Sequence, residues 1–470
     1  MKKDGILKAI GILFLIYVVA SWIIPVGYYY SGEFTDAGTL PVGLIDLIKY
    51  PIINLTSSVF VLMAICILCI GGLYAVLNKT GVYSKLVDGI VKRFKKNGNT
   101  FLIISILVFS ILTSLTALTL PLFAMVPLFI AVILLLGYNK IVALLSTVGA
   151  MLVGNLASIY GFNVTGYIHY FYETGIHNNI MFKIILFVLL VGILIMFVLK
   201  LADKKEKTTK EEIVEIPFYE KNTSKAKTKK PIAMIILLVV FMILILIGMY
   251  NWYYSFGIQT FDNIHAAVTE FEIKGYPIFA NLIGTIDALG YWSNYEFALV
   301  LVVSSLIIGL IYKLKLSDIV ESFVDGCKKM LPVAIYVIFA NIIFLLMNSN
   351  SDGSMFGTIA NFMFTKLESL GSLSVGLVSA IGSLFYNDFP YMINIIYTQV
   401  GEVFENIGLV TFIQQTIHGL LMLVLPTSTI LVAGLKYLNV SYKEWLKNVW
   451  KYLVIALIII LVLILLMAII

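Results

Sequence analysis

Residues 372 to 400 form an apolar run of roughly bilayer-crossing length, interrupted in its middle by Tyr386-Asn387-Asp388-Phe389-Pro390. A carboxylate at bilayer depth costs about 2.5 to 3.5 kcal/mol on insertion scales, and a proline inside a helix removes a backbone donor. A plain lipid-facing helix therefore fits this stretch badly. Two arrangements satisfy its polar groups. One is a re-entrant hairpin, two half-helices meeting at a polar tip that is buried in protein or faces a water-filled cavity. The other is a single kinked span whose Asp388 is paired.

Composition decides what surrounds this stretch. With 60% hydrophobic and 12% charged residues over 470 positions and a mean hydropathy of +1.00, the chain has more apolar surface than one water-soluble core could hide. The expected fold is an all-α polytopic membrane protein. The run from Ile6 to Ile24 behind Met1-Lys2-Lys3 is too long for a signal peptide and lacks a small-residue cleavage pattern, so it reads as an uncleaved first span. The net charge of +6 comes from loop lysines that report orientation, and it gives no sign of nucleic acid. Cys66 and Cys69 lie one turn apart within a span, and Cys327 falls in a lysine-bearing loop. They make a weak metal or redox motif and read as packing.

In chain order, spans are expected at about 6 to 26 and 52 to 77. Lys2, Lys3 and Lys8 place the N-terminus inside, and the second span returns to Lys79, Lys85, Lys92, Arg93, Lys95 and Lys96. Val82, Leu86, Ile90, Val91 and Phe94 recur at helical spacing, as in an amphipathic helix on the membrane surface. The stretch 101 to 137 carries Thr113, Ser114, Thr116, Thr119 and Pro121 in its middle and has cytoplasmic signals at both ends. It fits a hairpin, or equally two spans joined by an outer turn at 117 to 121.

Residues 141 to 172 crowd Gly154, Asn155, Ser158, Gly161 and Asn163 together, the composition of a helix that unwinds part-way. A span over 180 to 200 leads to residues 200 to 230, where ten lysines alternate with acids in what reads as a solvated cytoplasmic linker. A span at 232 to 250 and an outer loop follow. Further spans are expected at 297 to 312 and 331 to 348, then a surface segment at 355 to 370 and the interrupted run at 372 to 400. Residues 408 to 435 are broken at Leu425-Pro426-Thr427-Ser428-Thr429, and a last span covers 452 to 470.

The order of elements repeats: two spans, a surface helix, a hairpin, a broken helix, one more span. The implied division is a first transmembrane repeat (1–201), a charged linker (202–230), an extra helix with its outer loop (231–296) and a second, inverted repeat (297–470). Inverted repeats of this kind bring discontinuous helices together near the bilayer midplane, where transporters bind substrate and coupling ions.

Several motifs resemble the four-carbon dicarboxylate anaerobic carrier family of the ion transporter superfamily. They are Glu321 to Ala334 (ESFVDGCKKMLPVA), Leu425 to Ser428 (LPTS) followed by Ala433-Gly434-Leu435, Val440 to Lys443 (VSYK) and Trp445 to Lys447 (WLK). Near the N-terminus, Trp22 to Gly27 (WIIPVG), Pro41 to Leu44 (PVGL) and Asn78 to Gly81 (NKTG) also resemble the family. The resemblance implies its scaffold, and a substrate that is a dicarboxylate or, as in some relatives, an amino acid such as arginine or ornithine. The hairpin tips depart from the family pattern, at Phe385 to Tyr391 and at Leu115 to Pro121, as does the first break at Tyr160 to Asn163.

The expected function is secondary active transport of a small carboxylate-bearing metabolite in the cytoplasmic membrane, by coupled or exchange transport with elevator-like alternating access. Candidate substrate residues are Thr116, Asn155, Ser158, Asn163, Asn387, Asp388, Thr427, Ser428 and Thr429, with half-helix amino ends facing a carboxylate. Each of these hydroxyls and amides could instead serve packing. Asp388 would neutralise an amine or carry a proton. His418 would relay protons, or would simply be a hydrogen-bonded packing residue. No cofactor is expected beyond sodium or a proton as coupling ion, with unwound carbonyls as the sodium ligands. His169, His177 and His265 show no metal-ligand spacing.

The expected partners are an organic acid or amino acid and the lipid bilayer, with a homodimer left open. An amino-acid antiporter, a uniporter or channel, a membrane-embedded enzyme and an accessory scaffold are the rivals. The enzyme would need an interfacial nucleophile or metal cluster that the sequence does not show.

Overall fold

The computed structural model describes residues 5–30, 32–56, 58–204, 216–220, 230–284, 286–347 and 353–469. It is almost wholly helical. The exceptions are two small antiparallel ribbons, Gly27–Tyr30 with Glu33–Asp36 and Glu272–Ile273 with Tyr276–Pro277. Among the described residues, seven helices are long and apolar enough to cross a membrane. The chain is a polytopic membrane protein.

One group of helices is built on close backbone contact. Ser58–Lys79 packs along Leu316–Ala340 and against Asn294–Ile311, with Ile232–Met249 on the outside of the latter. At the crossing of the first pair, a methyl group added to Gly326 would come within 2.1 Å of the Gly71 carbonyl oxygen. Between helices in lipid, where hydrophobic burial gives little drive, such small-residue contacts supply the packing.

The second group is built from interrupted helices. Gly98–Thr116 turns at Ala117 and Leu118 and continues as Thr119–Phe123 and Val126–Leu135. Ala117 adopts a left-handed conformation (φ 56°) while its N–H donates to the Thr113 carbonyl at 2.7 Å. The helical stretch from Lys140 to Leu156 unwinds over 157–161 and resumes at Phe162.

Leu373–Phe385 and Phe389–Val403 flank the break at 386–388. Here the two residues that look disruptive in sequence prove to be a helix start. Asp388 is the N-cap, accepting from the Tyr391 N–H at 3.4 Å, and Pro390 falls in the first turn, where its missing donor is not needed. Ile407–Met422 breaks before Thr429–Tyr437. The helix before each of these turns packs on a broken helix, Gly98–Thr116 on Ala150–Leu156 and Leu373–Phe385 on Ile407–Met422. The two broken helices meet where Gly419 lies against Leu156.

Three expectations need correction. The helix Val82–Phe94 forms, but Val82, Tyr83, Leu86 and Val87 are buried, and it packs on Val126–Leu135. Its apolar face therefore meets protein. The residues before the expected span at 331 are no loop: Leu316–Ala340 is one helix with Pro332 inside it, and Cys327 lies within that helix, its thiol donating to the Leu68 carbonyl at 3.3 Å.

Finally, Ile216, Phe218 and Tyr219 in the charged linker are buried. The Tyr219 hydroxyl donates to Asp88 Oδ1 at 2.6 Å, and the Glu220 N–H donates to Asn78 Oδ1 at 3.3 Å. This short apolar segment lines a small cavity together with Lys329, Met330 and Tyr437. The rest of the linker, 205–215 and 221–229, lies outside the described residues, as does most of the polar turn at 348–353.

Candidate substrate site

All four breaks open onto one cavity of about 470 Å³. The turn after Gly98–Thr116 contributes Ala117, Thr119 and Leu120, and the first broken helix Asn155, Asn163 and Val164. The second tip contributes Asn387, Asp388, Pro390 and Tyr391. The second broken helix contributes His418, Met422, Ser428, Thr429 and Ile430. The remaining wall comes from the other helix group, through Phe60, Met63, Asn341 and Phe344. The cavity thus lies at the border between the two groups.

Asn387 organises its polar side. Its Nδ2 group is within donating distance of Asn341 Oδ1 (2.8 Å), the Thr427 carbonyl (2.8 Å) and Thr429 Oγ1 (3.1 Å). Asn341 in turn donates to the carbonyl of Val337 at 2.7 Å. One side-chain amide therefore bridges a hairpin tip, the second break and the neighbouring helix group.

His418 is buried at 3% exposure, with its ring beside Phe389 and its Nδ1 3.0 Å from Ser383 Oγ. The Ser383 hydroxyl already donates to the Ser379 carbonyl at 2.6 Å. That assignment makes Nδ1–H the donor to Ser383 and leaves Nε2 as the acceptor.

The first break is held by side-chain donors. Gln415 Nε2 donates to the carbonyls of Leu156 (3.2 Å) and Ser158 (2.9 Å), and Ser114 donates to Ala157 (2.7 Å). The N–H groups of Ile159 and Tyr160 reach the Ser114 carbonyl at 2.9 and 3.2 Å. The buried carbonyls of Leu156, Ala157 and Ser158 thus have the partners that burial in an apolar body demands.

Of the residues singled out in sequence, Asn155, Asn163, Asn387, Asp388, His418, Ser428 and Thr429 line the cavity. Thr116, Ser158 and Thr427 do not. The Thr116 hydroxyl donates to the Leu112 carbonyl at 2.7 Å and accepts from Leu118 N–H, which shapes the tip. Ser158 accepts from the Gly161 N–H at 3.1 Å, and Thr427 offers its carbonyl to Asn387. These three support the wall from behind.

Sequence reasoning missed Asn341. The available signal was an amide in the middle of an apolar run, Ile335 to Met347. Thr119 and Tyr391 were also passed over as lining residues. Asp388 is the one carboxylate in the lining, and no lysine or arginine is in it. Among the described residues, no group of His, Cys, Asp and Glu could hold a metal ion.

Interrupted helices converging on a polar cavity within an apolar helical body are the architecture of a secondary transporter. The family comparison makes this specific. The model of the C4-dicarboxylate anaerobic carrier family matches residues 4–387 and 406–469, and the chain belongs to that family. No curated protein matches the chain. Among solved structures, the crystal structure of the Alcanivorax borkumensis YdaH transporter is similar at a TM-score of 0.42 and 13% identity, covering 98% of this chain and 97% of that one.

Proposed function

We propose that this carrier moves a small carboxylate-bearing metabolite across the cytoplasmic membrane, by cation-coupled or exchange transport, with its N-terminus inside. The observation that carries the proposal is the convergence of all four breaks on one cavity at the border of the two helix groups. Unwound backbone inside an apolar body is tolerated where it lines a cavity, and in transporters such sites are where substrate binds. The substrate would contact Asn155, Asn163, Asn387, Ser428 and Thr429, with Thr116, Ser158 and Thr427 holding the wall. Asp388 would meet an amine or a proton, and His418 would relay protons.

Alternating access would come from an elevator-like movement of the interrupted helices against the group containing Ser58–Lys79 and Leu316–Ala340. The resemblance between 1–201 and 297–470 in element order supports two inverted repeats as the basis of that movement.

An amino acid is favoured over a dicarboxylate by one observation: the lining offers a carboxylate at Asp388 and no lysine or arginine. A dicarboxylate would meet net negative charge there, whereas an amine would be paired.

The decisive experiment is uptake into proteoliposomes carrying the purified protein, with labelled succinate and labelled arginine. Each is measured with and without sodium and proton gradients and with either compound preloaded. Arginine flux driven by internal amino acid supports exchange, and succinate flux supports dicarboxylate carriage. A channel gives flux that ignores every gradient and counter-substrate. An accessory scaffold gives none.

A further inference from the structure

A buried lysine lies just outside the cavity. Lys183, in the first turn of Ile180–Lys204, is 2% exposed, and among the described residues it is the one buried lysine or arginine. Its Nζ donates to Thr165 Oγ1 at 3.4 Å, and the Thr165 hydroxyl donates to the Ser158 carbonyl at 3.2 Å.

An ammonium has three donors, and a buried one ordinarily finds a carboxylate. Among the described residues, however, no carboxylate forms an ion pair with Lys183. Of the helices packed on Ile180–Lys204, Gly98–Thr116 and Ala150–Leu156 carry no charged residue. Tyr442–Ile469 carries charge only over 443–451. Its Tyr452 donates to the Leu190 carbonyl and its ring lies beside Phe197, so those charges lie toward the Lys204 end, away from Lys183.

Burying an under-partnered cation is costly, and an ionisable group held inside a membrane protein at such a cost is a functional candidate by default. Its position suggests the function. Thr165 belongs to the same turn, Phe162–Gly166, as Asn163 and Val164, and both of those line the cavity. The ammonium therefore lies behind that part of the wall, one hydroxyl removed from the break. The lining itself has no lysine or arginine.

We propose that Lys183 is a positioning residue that supplies the missing positive charge. Through Thr165 it steadies the turn from Ser158 to Thr165. Its charge, weakly screened in the apolar body, favours the substrate's carboxylate against the Asn163–Val164 wall of the cavity that Asp388 also lines. The inference rests on the carrier reading above.

The test is concentration-dependent uptake of labelled arginine and labelled succinate by proteoliposomes containing wild type, Lys183→Arg, Lys183→Met and Lys183→Gln. The arginine variant is expected to keep a near-wild-type KM for the transported probe. The methionine variant, similar in length but uncharged, is expected to raise KM on the order of tenfold, with a smaller effect on maximal rate. Lys183→Gln keeps a donor toward Thr165 without the charge and is expected to raise KM likewise, so it carries the test if the methionine variant fails to fold. A residue needed only for packing would lower yield and thermal stability and leave KM alone. A glutamine variant with wild-type KM in active vesicles overturns this inference and leaves the carrier reading standing. Wild-type vesicles that move neither probe overturn both.

Discussion

The side-chain amide of Asn387 donates to the carbonyl of Thr427 across 2.8 Å, tying the tip of one interrupted helix pair to the break of another helix. The same amide also reaches Asn341 Oδ1 and Thr429 Oγ1, so one side chain joins three elements at the cavity wall. Replacing Asn387 by Ala leaves the Thr427 carbonyl without this donor and removes the link to Asn341. An unsatisfied buried group costs about 1–3 kcal/mol. A lower melting temperature in detergent and uptake reduced by about tenfold or more are therefore expected. Asn387→Asp should be worse than Ala, because a carboxylate would face two acceptor oxygens. An alanine variant with wild-type melting and uptake would show that the amide bridge is dispensable.

Asp388 has two separable roles. As N-cap of Phe389–Val403 its side chain accepts a backbone N–H, and asparagine does this nearly as well. Asp388→Asn is therefore expected to melt within about 0.5 kcal/mol of wild type, whereas Asp388→Ala should lose about 1 kcal/mol. If its charge meets an amine or a proton, the asparagine variant nonetheless loses uptake or its ion dependence. Intact, equally coupled uptake by a stable Asp388→Asn protein would remove Asp388 from the mechanism.

The crossing of Gly71 and Gly326 predicts a sharp contrast between glycines. At Gly326 an added methyl meets the Gly71 carbonyl oxygen at 2.1 Å and the Ala75 Cβ at 2.8 Å, so the backbones must part. Gly326→Ala is expected to cost about 1–3 kcal/mol, seen as lost monodisperse protein and a lower melting point. Gly192, inside Ile180–Lys204, has nothing within 4 Å of its added methyl. Gly192→Ala should be neutral, or more stable by up to about 1 kcal/mol.

Docking of the linker segment is expected to withstand moderately alkaline pH. Burial first, and then the hydrogen bond and charge of Asp88, raise the Tyr219 phenol above its ordinary range. A group whose pKa is raised in the docked state contributes fully below its ordinary pKa and loses that contribution only as pH climbs toward the raised value. A cysteine introduced at the buried Phe218 should thus label slowly from neutral pH through the ordinary tyrosine range. Adding Tyr219→Phe, which removes the bond to Asp88, should speed labelling by a few-fold. Equal rates with and without the tyrosine hydroxyl would show that apolar burial alone holds the segment.

Much of the architecture was legible before any coordinates. The interruptions at 116–121, 155–163, 386–390 and 425–429 all appear as breaks within a few residues of where polar and Pro/Gly clusters placed them. Legibility failed wherever a partner lay far away in the chain. Val82–Phe94 reads as a membrane-surface helix, yet its apolar stripe is satisfied by Val126–Leu135. Ile216 to Glu220 reads as solvated because its neighbours are charged, yet Ile216, Phe218 and Tyr219 are buried and Tyr219 is bonded to Asp88.

The sequence by itself determined where this chain must cross, turn and unwind. A carboxylate, proline or amide within an apolar run carries a local energetic penalty, and that penalty is the same whatever surrounds it. Only the tertiary structure decided which of those polar groups face the cavity. Thr116 and Ser158 turned back to nearby backbone, and Thr427 was claimed by Asn387. Asn341 and Lys183, by contrast, were brought to the site from elsewhere in the chain. A hydrogen-bonding group takes whichever partner the fold places within about 3 Å, and residue type alone does not encode that choice.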